Sequence, residues 1–372
     1  MTTEEKDTAS PPSERYVDVG RWIRIGIGVI ISIFLLWRFY TVLALQDVYG
    51  LDTWARFAIS GVILGSVYAL IALGYTLIYG ILYMINFAHG EVMMLGAFAG
   101  YFTLEALNFT VAWLAEKEWV TPGLGTDILS LVITFGVGMV TSMGLSVLLE
   151  QIAYRPLRNA PRLVPLISAI GASLFLQNTA QLAFGARRRT YANPGFIERN
   201  TGWNVIVGGK AVLVTYTGVL TFILSIVLMV GLYWLVKRTK IGKAMRAVAQ
   251  DKETAALMGI DVDNIISTTF AISGALAGAA GVMWGLHNGI VYHYIGFIPG
   301  LKAFTAAVLG GIGNVPGAML GGLTLGVLEA IGPALLGLPF QLKDVLAFSI
   351  LVLVLIFRPT GLLGEVLSRT KA

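Results

Sequence analysis

The chain has 372 residues, 56% of them hydrophobic and 13% charged, and a mean hydropathy of +0.77. A soluble domain carries roughly 25% charged residues, so this composition excludes an ordinary soluble fold and makes the chain an integral membrane protein. The lack of cysteine removes disulfides, thiolate metal sites and cysteine nucleophiles together. The net charge of +5 comes from basic residues flanking apolar spans, which points to membrane topology and away from nucleic-acid binding.

Residues 1–25 are polar and mixed in charge, with Pro11-Pro12, and read as a disordered cytoplasmic tail. A first apolar span follows at 26–45, interrupted by Arg38 and preceded by Arg21 and Arg24. No clean small-x-small cleavage site follows it, so it reads as a retained anchor helix and not as a signal peptide. Further spans are predicted at 57–81, 84–105, 128–150, 164–184, 213–236, 265–287, 300–313, 317–336 and 343–357. Most reach the roughly 20 residues needed to cross a bilayer. The 300–313 piece is too short, and GGIGNVPG (Gly310–Gly317) interrupts the apolar run, which fits two half-helices meeting at a backbone break. The expected fold is all-α and polytopic, with about nine to ten membrane segments including a broken or re-entrant helix pair. Its 44 glycines cluster inside apolar runs, and Gly274, Gly278, Gly281 and Gly285, like Gly317 and Gly321, give small-residue faces for close helix packing.

Orientation follows from basic residues in short loops. YRPLRNAPR has Arg155, Arg158 and Arg162 and no acid, so it should be cytoplasmic, as should Lys237–Asn264, two crossings later. Both termini are then inside. The 185–212 loop opposes this count, because it carries Arg187, Arg188, Arg189, Arg199 and Lys210 yet falls outside.

Lys237–Asn264 is the long polar interruption of the second half, with six basic and four acidic residues. Ile241, Ala244, Met245 and Val248 form one apolar helical stripe, Asp251 stands at an N-cap position, Glu253 falls in the first turn after it, and Gly259 fits a C′ position. Two short helices are predicted. An amphipathic segment of this kind either lies on lipid headgroups or docks into a groove on a partner, and its sequence leaves both open.

Polar residues within the spans are costly and therefore candidates for function. Asn86, His89 and Glu91 sit between two spans with almost no connecting loop, where they either cap broken helix ends and line a path or only tie two helices together. Gln177, Asn178 and Gln181 lie at helical spacing on the 164–184 span, as pathway or as interhelical glue. Glu329 is ambiguous in the same way. His287, His293 and Lys302 read as hydrogen-bonded structure. One His and one Glu two residues apart do not share a helix face, so no metal site is expected. No G-x-x-x-x-G-K-[ST], G-x-S-x-G or H-E-x-x-H motif occurs, so the chain holds neither a nucleotide cradle nor an obvious catalytic constellation.

Four blocks in order make a resemblance specific. GVILGSVYALIALGYTLIYGILYMINFAHGEVMMLGAF from Gly61, YRPLRNAPRLVPLISAIGASLFLQN from Tyr154, GKAMRAVAQDKETAALMGID from Gly242 and YIGFIPGLKAFTAAVLGGIGNVPGAMLGG from Tyr294 closely resemble the H-type membrane permease of branched-chain amino acid ABC importers, and RPTGLLG from Arg358 also fits. The resemblance covers residues 53–365; the tail and the 26–45 helix have no counterpart in typical members. It implies a permease subunit, not an enzyme, in a bacterial inner membrane. The implied partners are a second related permease, two cytoplasmic ATPase subunits that hold ATP and Mg, and an external solute-binding protein; no cofactor is implied in this chain. It also implies that 237–264 contains the coupling segment, with Met245, Arg246, Asp251, Glu253, Leu257 and Met258 as contacts to the ATPase. The substrate path is expected where Asn86, His89, Glu91, Gln177, Asn178 and Asn314 converge. The related alternative is a urea or short-chain amide importer; the alternative from another class is a self-sufficient channel or carrier.

Overall fold

The computed structural model describes residues 19–42, 49–118, 121–158, 160–161, 163–358 and 360–364. Twelve α-helices carry this part of the chain: α1 Val19–Tyr40, α2 Leu51–Leu82, α3 His89–Glu116, α4 Leu124–Leu149, α5 Leu163–Phe184, α6 Tyr216–Arg238, α7 Lys240–Gln250, α8 Lys252–Leu257, α9 Val262–Asn288, α10 Phe297–Gly310, α11 Val315–Leu336 and α12 Lys343–Phe357. Among the described residues, eight helices are long and apolar enough to cross a membrane: α2 to α6, α9, α11 and α12, with the shorter apolar α10 beside them. The fold is thus the expected polytopic all-α one.

Most of the predicted 1–25 tail lies outside the described residues. The first helix begins at Val19, so Arg21 and Arg24 fall inside it, and it ends at Tyr40. Arg38 on α1 donates to the Leu336 carbonyl from Nη2 at 2.7 Å and from Nε at 3.1 Å. That carbonyl is one of the acceptors left over where α11 ends, so a guanidinium there satisfies it and suits the helix dipole.

α2 and α9 are apolar on every side and form the centre of the bundle. α11 runs antiparallel along α2, with Gly65 against Gly322 and Gly61 against Val327. α9 packs on α3 and α4 through the predicted small residues: a Cβ on Gly274 would lie 2.6 Å from the Ser142 carbonyl oxygen. One break was expected in the wrong place. Gly310 packs on Gly317 and Ala306 on Gly321, so Gly311–Asn314 is the tight turn of an α10–α11 hairpin, not a join between collinear half-helices.

The re-entrant pieces lie upstream of both α3 and α10. The chain leaves α2 with Tyr83 at φ +54°, runs extended through Met84–Asn86 and starts α3 at His89. His89 rests on Gly74, eight residues before the end of α2 and so about 12 Å inside it. From the opposite face, the chain leaves α9 at Gly289 (φ +71°), forms a short strand and starts α10 at Phe297. These two re-entrant turns meet where Gly90 faces Gly296 and Gly300. A Cβ on Gly90 would sit 2.5 Å from the Gly296 carbonyl oxygen, so glycine is required for this approach.

Two faces are distinguished by the ends of α2. At its C-terminal end the Tyr83 hydroxyl donates to the Ala249 carbonyl at 3.0 Å, which places α7 there. At its N-terminal end Asp52 pairs with Lys210 at 3.6 Å, which places the 185–212 segment on the other side. That segment is more than a loop. β2 (Gly202–Val207) and β3 (Lys210–Thr215) form a hairpin, and β1 (Arg189–Thr190) pairs with β4 (Ile290–Val291). Gly208 and Gly209, at φ +59° and +80°, make the two-residue turn. Such a turn needs positive φ at both positions, and a Gly-Gly pair between alternating apolar runs signals it in the sequence. The basic residues there are held locally: Arg189 donates to the Phe184 carbonyl at 2.8 Å and stacks on Phe102, Arg188 stacks on Tyr292, and Arg199 donates to the Tyr191 carbonyl at 3.2 Å.

Candidate functional site

The first turn of α3 begins in the protein interior, so its polar side chains must find partners on other helices. Glu91, fully buried, accepts from Gln177 Nε2 at 2.7 Å and from Ser173 Oγ at 3.2 Å, both on α5, through the same oxygen, Oε1. Asn86, 1% exposed, accepts from the Tyr154 hydroxyl at 2.6 Å through Oδ1. Tyr154 ends a π-helical turn, Glu150–Tyr154, that continues α4; such turns often mark functional sites because they re-aim a side chain. His89 is fully buried, with its ring edge-on to Tyr75 at a centroid distance of 5.0 Å. Glu91 Oε2, Asn86 Nδ2 and both ring nitrogens of His89 have no hydrogen-bond partner among the described residues. Buried polar atoms are ordinarily paired, and a cluster left half-satisfied is a functional signal.

The other two pathway candidates lie elsewhere. Asn178 is exposed on α5 and donates back to the Leu174 carbonyl at 2.7 Å. Asn314 caps α11, accepting from Gly317 N–H at 3.0 Å, and donates to the Leu363 carbonyl at 2.8 Å, on the face that carries α7. It does not join the Glu91 cluster, because both ends of its amide serve the α10–α11 turn.

The predicted two-helix segment is present as α7 and α8. Asp251 Oδ1 accepts from the N–H groups of Glu253 and Thr254 at 3.0 and 3.1 Å and caps α8, and Gly259 follows at φ +82°. Its buried stripe is shifted from the expected one: Gly242, Met245 and Val248 face inward, while Ile241 is 44% exposed. Met245, at 3% exposure, therefore packs into this subunit and is not available to a partner. Arg246, Asp251 and Glu253 are exposed, and Leu257 and Met258 are 87% and 79% exposed. The Arg246 guanidinium donates to the Val236 carbonyl at the end of α6. Tyr83 and the residues from Val248 to Glu253 line an open hollow of about 330 Å³ at the α7–α8 junction.

One connection was missed from sequence. Glu150, fully buried in the π turn, pairs with Arg158 and with Arg155 (3.4 Å) and accepts from Ser267 Oγ at 2.7 Å. Arg158 also pairs with Asp263 at the start of α9. Burial, and then the nearby Arg158 charge, hold the Lys252 ammonium below the usual lysine range. The RPLR run thus clamps the end of α4 to α9 beside α8. An acid ending a span just before a run of arginines is the signal that identifies it.

A family profile described as "Branched-chain amino acid transport system / permease component" matches residues 57–355. The chain belongs to this permease family. The permease is 44% identical over 310 residues to the high-affinity branched-chain amino acid transport system permease protein BraD of Pseudomonas aeruginosa, covering 82% of this chain and 94% of that protein. It is 43% identical over 309 residues to the corresponding LivH protein of Escherichia coli, with the same coverage. A probable LivH permease of Methanocaldococcus jannaschii is 28% identical over 312 residues, covering 82% of this chain and 90% of that protein. No solved structure matches the permease. The matched residues leave out α1, which is an addition at the edge of the permease unit.

Proposed function

We propose that this chain is the translocation subunit of an ATP-driven importer for branched-chain amino acids, working with a second related permease, two cytoplasmic ATPase subunits and an external binding protein. The names of the relatives BraD and LivH support the substrate class. The observation that carries the transport role is the half-satisfied cluster of Asn86, His89, Glu91 and Gln177, where the re-entrant start of α3 meets that of α10. Transporters accept irregular backbone and ionisable groups at membrane depth where these line a path.

In this reading the α7–α8 face is cytoplasmic, both termini lie on that side, and the hairpin faces outward. Leu257 and Met258, flanked by Arg246 and Glu253, bury themselves in the ATPase, while Met245 anchors α7 from within. ATP and Mg are held by the ATPase, whose motion reaches α9 through α8 and reaches α4 through the Glu150–Arg158–Asp263 clamp.

Proteoliposome uptake of leucine tests the proposal. The full assembly should import leucine only with ATP, and this chain alone should import none. Transport by the chain alone would overturn the reading, and import of urea or a short amide in place of leucine would replace the substrate. If Asn86→Ala and Gln177→Ala each left uptake unchanged at normal expression, the pathway assignment would be withdrawn.

A further inference from the structure

We infer that the polar ridge of α5 formed by Ser173, Gln177 and Gln181, with Asn178 beside it, lines a water-filled path that descends from the hairpin face to Glu91, and that the second permease supplies the opposite wall. The inference rests on the permease reading above.

The three ridge residues recur every four positions, so they stand above one another on one side of the helix. Their exposure falls in order: Gln181 is exposed, Gln177 half-buried and Ser173 4% exposed, and the last two hold the fully buried Glu91. Asn178, next to Gln177, is exposed six residues before the end of α5, about 9 Å below it.

Lipid is the wrong solvent for this ridge. An amide facing hydrocarbon loses its water hydrogen bonds and gains nothing to offset them. Asn178 meets only part of its need by donating back to Leu174 on its own helix. Other outward faces of the bundle lack such groups: α6 exposes Ile223, Val227 and Val230, and α4 exposes Val132 and Val140. Those surfaces suit acyl chains. Gly171, on the same helix, has open space where a Cβ would point, so this chain does not itself cover that part of α5. A ridge that is wet, lies within the membrane and is open on one side needs a wall from another chain.

The natural absence of cysteine makes the test direct. N178C and Q181C, with V227C and V140C as lipid-facing controls, are made in the intact assembly and treated in membranes with a charged methanethiosulfonate and, separately, with a lipid-soluble maleimide. The charged reagent should modify N178C or Q181C at least tenfold faster than either control, and modification should abolish leucine uptake. Reaction of both ridge cysteines only with the lipid-soluble reagent would show a lipid face, and reaction with neither would show dry contact with another chain; either result overturns the inference. Unmodified assemblies that still import leucine would leave the permease reading intact in those cases. An assembly that imports nothing would remove the permease reading, while the labelling pattern still decides whether the ridge is wet.

Discussion

Lys302 on α10 and Glu329 on α11 meet at 2.6 Å with their side chains only 3% and 1% exposed. The Tyr68 hydroxyl on α2 donates to the other Glu329 oxygen at 3.0 Å, and Asp344, at the first turn of α12, also lies 2.6 Å from the Lys302 ammonium. One buried pair therefore joins four helices. Neither residue stood out in the sequence, because a charge within an apolar span shows its partner only after folding.

Breaking this pair from one side should be far worse than removing it whole. Removing one partner of a buried ion pair costs roughly 3–5 kcal/mol, because the other charge is left uncompensated, whereas apolar replacement of both is often neutral. Lys302→Ala should sharply lower the thermal midpoint in detergent. The double variant Lys302→Met with Glu329→Leu should recover most of that loss. Equal midpoints for the single and double variants would show that the charges do not depend on each other.

At Glu91 the carboxylate collects two donors from α5. Glu91→Ala leaves Gln177 and Ser173 without their acceptor, at a cost of about 1–3 kcal/mol. Uptake should fall at least tenfold, with Glu91→Gln retaining more because its amide oxygen still accepts. Initial-rate uptake at matched expression is the measurement, and an unimpaired Glu91→Ala would remove Glu91 from the path.

The contact between the starts of α3 and α10 should tolerate no added methyl. Gly296→Ala drives a Cβ into the Gly90 carbonyl, whereas Gly231→Ala on α6 meets nothing within 4 Å. Overpacking costs on the order of 1–3 kcal/mol, while alanine in an open helix position favours the helix by about 1 kcal/mol. Thermal unfolding should therefore separate the two variants in opposite directions.

For the coupling segment, Leu257→Ser with Met258→Ser should leave the subunit folded, because both side chains are exposed. Burying each in a partner is worth roughly 1.5–3 kcal/mol, so co-purification of the ATPase should weaken by tenfold or more. Arg246→Ala with Glu253→Ala should weaken it less or uncouple hydrolysis from uptake. Unchanged ATPase retention and stimulation in both variants would remove the docking role.

Span positions, the family and the two capped helices of Lys240–Leu257 were legible in the sequence, because hydropathy runs, ordered motif blocks and cap residues are local properties of the chain. The membrane itself imposed them: no backbone polar group can be left in hydrocarbon, so each apolar run of sufficient length becomes a helix. Only tertiary structure decided which face each polar residue took. It turned Met245 inward, gave Asn314 to a helix cap, paired Glu91 with Gln177, and set Lys302 against Glu329. It also moved the re-entrant turns to the starts of α3 and α10, where Gly90 and Gly296 touch. Those outcomes depend on contacts between residues far apart in sequence, and in a bundle of uniformly apolar helices the periodicity that would reveal a buried face is nearly absent.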